Sequence, residues 1–137
     1  MKVMFDTNVY ISFIRNSTHK RELLRRGTTK YLSAIVLMEL WAGSRSTKAK
    51  RLLSQLQKPY VDAGRIVTLT AEHYISIGKF FSELPTMYGD LQKKADFLND
   101  VSIAHTALSI GATLYTENAS HFNIIGTFVK QLKVAYL

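Results

Sequence analysis

Three carboxylates separated by long stretches of chain stand in surroundings that acids rarely occupy. Asp6 follows the apolar run Val3-Met4-Phe5, Glu39 lies inside Ala34-Ile35-Val36-Leu37-Met38-Glu39-Leu40-Trp41, and Asp100 heads Asn99-Asp100-Val101-Ser102-Ile103-Ala104. A charged side chain is seldom taken out of water unless it is paired or coordinates a metal. Acids placed this way predict a pocket for a hard cation with oxygen ligands, Mg2+ or Mn2+, which keeps several waters and takes phosphate oxygens as further ligands. Such an ion polarises a phosphate, activates water and neutralises a leaving oxygen, and two ions about 4 Å apart would act on both sides of the phosphorus. The residues leave one ion or two open. Each acid alone has a simpler reading: Asp6 as a helix cap, Asp100 as a first-turn acid favoured by the helix dipole, Glu39 as a buried acid, neutral or salt-bridged. Together they point to a shared site.

Composition removes the competing chemistries. The 137 residues contain no cysteine, which excludes disulfides, thiolate metal sites and cysteine nucleophiles. His19, His73, His105 and His121 show no metal-ligand spacing, so a zinc site is not expected. Position 8 is Asn, where a phosphatase using Asp6 as nucleophile would want a second acid. The net charge of +8 favours polyanionic partners. No apolar run approaches the roughly 20 residues that span a bilayer, and the start of the chain has no signal-peptide pattern, so a cytosolic protein without a membrane partner is expected.

The elements that must position these acids follow from periodicity and punctuation. Strands are expected at residues 2–5, 31–32, 65–69, 112–115 and 133–137. Helices are expected over 7–14, 19–26, 34–43, 47–57 (stopped before Pro59), 71–84 and 99–110, with capping residues at Asp6 or Thr7, Ser17-Thr18, Ser33, Ser46 and Thr70. Residues 85–89 and 116–122 read as loops, and 91–98 is ambiguous. The stripe Tyr74, Ile77, Phe81, Leu84 should face the core, with Phe80 off that face as a partner-facing residue. Alternating strands and helices over 1–137 predict one α/β domain with a central parallel sheet. Its site should lie beyond the carboxyl ends of the strands.

Four segments carry a family resemblance: Phe5-Asp6-Thr7-Asn8-Val9, Glu39 in its helix, Asn99 through Ala107, and Gly111 through Phe122. In this order and spacing they resemble the PIN-domain ribonucleases, and among them the VapC-type toxins of prokaryotic toxin–antitoxin pairs. The resemblance implies a three-layer α/β/α fold and a magnesium-dependent endoribonuclease acting on RNA. It also implies a homodimer held inactive by a cognate antitoxin. Carried over, Asp6 and Asp100 are the metal ligands, Glu39 completes the acidic pocket, and Thr7, Asn8 and Thr116 are supporting hydrogen-bonders. Asn118 and His121 stand where the family often places an acid. Asn118 can still orient a water or ligand through its amide, Glu117 would add charge only if its loop turned it inward, and Asp96 only if its helix began early.

The basic segments His19-Lys20-Arg21 with Arg25-Arg26, Lys48 to Arg51, and Lys93-Lys94 read singly as solvated helix faces. Those on the first helices could flank an RNA groove, with backbone contacts and stacking on an aromatic such as Tyr88. Trp41 is expected in the core or a dimer interface. The alternative function is a non-catalytic RNA-binding or interaction module that retains the fold, and Asn118 is the residue that favours it.

Overall fold

The computed structural model describes all residues, 1–137. Five strands form one parallel sheet: β1 (Lys2–Phe5), β2 (Thr29–Ser33), β3 (Ile66–Val67), β4 (Thr113–Thr116) and β5 (Lys133–Tyr136), in the order β3-β2-β1-β4-β5. The apolar run Val3-Met4-Phe5 is central because it is buried on both faces, as a parallel strand between helical layers must be. Its register pairs Met4 with Tyr31 on one side and with Leu114 on the other.

Eight helices join the strands: α1 (Thr7–Asn16), α2 (Lys20–Leu23), α3 (Ala34–Gly43), α4 (Thr47–Asp62), α5 (Ala71–Glu83), α6 (Gly89–Gln92), α7 (Ala95–Ser109) and α8 (Ala119–Phe128), with a single 3-10 turn at Thr86–Tyr88. Steps from β1 through β3 carry α1–α4, and the return through β4 and β5 carries α5–α8. Right-handed crossovers put the two sets on opposite faces, the three-layer α/β/α arrangement expected from the sequence. No helix is long and apolar enough to cross a membrane.

The chain reverses its direction of travel across the sheet between β1 and β4. Asp6 follows the last residue of β1, and Thr116 ends β4. The Asp6 N–H donates to the Tyr115 carbonyl at 2.9 Å, so pairing continues one residue past the strand and fixes where the acid starts. Ligands in open α/β sheets bind at such a switch point.

Helix α7 is the central helix. Every residue from Asp100 to Ala107 is buried. Its polar members satisfy themselves on the preceding turn: Ser102 Oγ donates to the Leu98 carbonyl, Thr106 Oγ1 to the Ser102 carbonyl, both at 2.8 Å, and His105 Nδ1 lies 2.8 Å from the Val101 carbonyl.

Several boundaries differ from the sequence expectation. Helix α7 begins at Ala95, because Phe97 is fully buried and its first turns must pack, so Asp100 lies mid-helix and not in a first turn. Helix α4 runs through Pro59 to Asp62, carried by Leu53, Leu56 and Tyr60 packing on the core. Helix α2 is a single turn, α1 extends to Asn16, β2 is longer than 31–32, and β3 is only two residues long. Residues 119–122, expected in a loop, open α8: the Asn118 side chain accepts from the His121 N–H at 3.1 Å, and Phe122 and Ile125 supply the buried face. On α5 the buried face is Ile77 and Phe80, continued by Leu84 just past its end. Phe80 is 8 % exposed and packs edge-on to Phe81, whereas Tyr74 is 56 % exposed, so their expected roles are exchanged.

Candidate active site

The three acids come from three elements and meet at the mouth of the sheet. Asp6 leaves the end of β1 in extended backbone conformation and caps α1. Its Oδ1 accepts the neighbouring Thr7 N–H at 2.7 Å, and its Oδ2 accepts the Thr116 hydroxyl at 2.7 Å. Glu39, half-buried one turn inside α3, accepts the Thr7 hydroxyl at 2.7 Å through Oε1. Asp100 accepts the Asn118 amide at 3.1 Å on Oδ2, and His121 Nδ1 lies 2.6 Å from the same oxygen. No lysine or arginine pairs with any of the three; the ion pairs elsewhere join Lys58 to Asp62 and His19 to Glu117.

The acids feel one another. Burial pushes the Asp6 carboxyl above its ordinary range, opposed by the bonds from Thr116 and Thr7 and assisted by the charges of Glu39 and Glu117. Burial raises the Asp100 carboxyl to about 7; repulsion from Asp6 and Glu39 adds to this, and the His121 contact works against it. Burial and mutual repulsion make ionising this carboxylate pair costly, a cost that a cation between them would reduce. No set of three His, Asp and Glu side chains is gathered tightly enough to enclose a metal by itself. One or two carboxylates are enough for Mg2+, which fills the rest of its shell with water and phosphate.

The supporting residues are partly those expected. Thr7 and Thr116 bond the acids directly. Asn8 bonds the loop instead, its Oδ1 accepting the Glu117 N–H at 3.3 Å. Glu117 turns away from the pocket, and Asp96 is solvated in the first turn of α7, so neither replaces the acid missing at position 118. His121 as a partner of Asp100 was not read from sequence. The available signal was its place three residues after Asn118, which puts both side chains on one turn of a helix opening at the pocket.

The PIN domain matches residues 3–125. The chain belongs to the PIN-domain family. Its fold is similar to the chain in the VapBC2 complex of Rickettsia felis bound to a promoter DNA fragment (28 % identity, TM-score 0.70, covering 100 % of this chain and 99 % of that one). It is likewise similar to DNA-bound VapBC from Salmonella typhimurium (25 %, TM-score 0.72, 99 % and 98 %). VapBC-1 from nontypeable Haemophilus influenzae shares the fold at 22 % identity, with a TM-score of 0.66 and coverage of 99 % and 98 %. No curated protein sequence matches. The PIN-domain, VapC-type resemblance read from the sequence is thereby borne out.

Proposed function

We propose that this PIN domain is a metal-dependent endoribonuclease and the toxin of a type II toxin–antitoxin pair. The observation that carries the reading is the desolvated Asp6–Asp100 pair beside Glu39, with no lysine or arginine partner, at the switch point of the sheet. Asp6 and Asp100 hold Mg2+ or Mn2+, and Glu39 completes the pocket. The ion supplies Lewis acidity toward a phosphate and activation of water. The chain's own residues do the rest: Thr116 and Thr7 aim the oxygens of Asp6, Thr7 holds Glu39, and Asn118 and His121 orient Asp100. Outer hydrogen bonds of this kind fix ligand orientation and are worth about 10- to 100-fold in metal affinity or activity. The substrate is RNA, met by a chain of net charge +8 whose Lys20, Arg21, Arg25 and Arg26 carry no ion-pair partner.

The VapBC character of the neighbours supports an antitoxin as a protein partner, and a second copy of this chain is the other partner in this reading. For the antitoxin the surface is an apolar groove of about 590 Å³ between α1, α2 and α4, walled by Phe13, Ile14, Leu24, Leu52 and Leu56, with Lys30 and Arg65 at its edge. An amphipathic segment with acidic flanks fits it.

Purified protein free of antitoxin should cleave structured RNA with Mg2+ and not in EDTA, and Asp6→Asn or Asp100→Asn should lower the rate at least about a hundredfold with the fold intact. Cleavage that persists in EDTA rejects the metal mechanism. The contact of His121 with Asp100, together with Asn118 in place of an acid, favours the second reading, an RNA-binding module without turnover. That reading predicts salt-dependent binding unchanged by Asp6→Asn and no metal-dependent product.

A further inference from the structure

Beside the pocket, but outside it, three polar side chains, two from α1 and one from the α1–α2 turn, close on Glu117 in the β4–α8 loop. Ser12 Oγ donates to both carboxylate oxygens, at 2.9 and 3.0 Å. His19 Nε2 lies 2.7 Å from Oε2. Asn8, one helical turn before Ser12, accepts the Glu117 backbone N–H. The turn that delivers His19 is strained: Ser17 and His19 both have left-handed backbone, φ 55° and 62°, and neither is glycine. Non-glycine residues hold that conformation only when their surroundings fix it. His19 precedes α2 yet makes no capping bond; its ring is committed to Glu117, with its side chain 13 % exposed.

Glu117 sits between the two loop residues that hold the acids. Thr116 Oγ1 donates to Asp6 and accepts the Asn118 N–H at 3.0 Å, and Asn118 Nδ2 donates to Asp100. Alternation along the extended chain sends Thr116 and Asn118 toward the pocket and Glu117 toward α1.

We infer that Glu117 is a positioning residue: clamped by Ser12 and His19, it locks the loop whose Thr116 and Asn118 aim Asp6 and Asp100. The clamp ties the two halves of the pocket to α1, the helix that Asp6 itself caps. It deepens the nuclease reading and rests on it.

The test compares Glu117→Ala, Glu117→Gln, Ser12→Ala and His19→Ala with the parent, using Mg2+ and a fluorophore–quencher RNA hairpin. Glu117→Ala should lower kcat about tenfold to a hundredfold, the scale of an ångström-sized misplacement, with KM changed less than about twofold. Glu117→Gln should recover most of the loss, because its amide oxygen accepts from Ser12 and its amide NH2 donates to His19. Ser12→Ala and His19→Ala should each give part of the loss. In metal-free protein, the Thr116 and Asn118 amides should exchange faster with solvent in Glu117→Ala. Unchanged exchange, unchanged kcat, or a loss that Gln does not rescue and that Ser12→Ala and His19→Ala do not share would overturn the clamp. The same assay on Asp6→Asn separates the two ideas: an active Asp6→Asn sinks the nuclease reading, whereas an inactive Asp6→Asn beside a fully active Glu117→Ala sinks the clamp alone.

Discussion

His121 Nδ1 and Asp100 Oδ2 stand 2.6 Å apart, the one contact between a basic side chain and any of the three acids. It partly offsets the burial and repulsion that hold the Asp100 carboxyl near 7. A native carboxyl raised from an ordinary 3.8 keeps its proton longer than the unfolded chain does. Its contribution to stability is complete below about pH 4 and is lost as pH rises through 7. In EDTA, urea melts should therefore show stability falling between about pH 4 and 7, by at most roughly 4 kcal/mol from this group. Asp100→Asn should flatten that slope, and Mg2+ at pH 8 should restore stability by taking the proton's place. Equal slopes for parent and variant would contradict the assignment.

Asp6→Asn should leave metal-free protein at least as stable as the parent at pH 8. The substitution removes a desolvated charge that Glu39 and Glu117 oppose, while the remaining oxygen can still accept the Thr7 N–H. Thermal melts in EDTA read this directly. A marked loss of Tm would make the acid a structural cap first.

Much of this was legible in the sequence. Asp6, Glu39 and Asp100 betray themselves because acids in apolar runs are anomalous, and the strand at residues 2–5 is marked by the same run. Residues 119–128 were missed because Asn118-Ala119-Ser120-His121 has turn composition, and only the cap bond from Asn118 makes it a helix start. The exchange of Tyr74 and Phe80 has a similar origin. Both stripes fit a helical period, and only the packing of Phe97 beneath α5 selects between them.

Phe97 supports both core and site. It is fully buried, meets Phe81 edge-on at 5.9 Å and the His121 ring at 5.2 Å. Phe97→Ala should cost about 3–5 kcal/mol in chemical denaturation. Phe97→Leu should cost less and yet move the His121 ring resonances, which would show the core steering the Asp100 contact.

Pro59 sits inside α4, where it can donate no backbone bond to the turn before it. Pro59→Ala restores the donor and relieves the ring's crowding of the preceding turn, an effect worth up to about 3 kcal/mol. The more flexible unfolded chain takes back about 1 kcal/mol. A net gain of roughly 1–2 kcal/mol is expected in urea melts, and a loss would show that the surrounding packing is built around the pyrrolidine ring.

Leu24 tests the antitoxin groove without disturbing the fold. It is 61 % exposed at the end of the short helix α2, so Leu24→Asp empties no cavity and buries no charge in the free protein. In the complex the same aspartate would lie against the apolar face of the bound segment, unpaired and out of water. Burying it there is expected to weaken binding by about 2–4 kcal/mol, or roughly 30- to 1,000-fold in Kd. RNA cleavage by the free variant should match the parent, since Leu24 touches none of the acids. The separation is visible in cells: the variant should be toxic even with antitoxin co-expressed, whereas the parent is neutralised. Full neutralisation of Leu24→Asp would place the antitoxin on another face of the molecule.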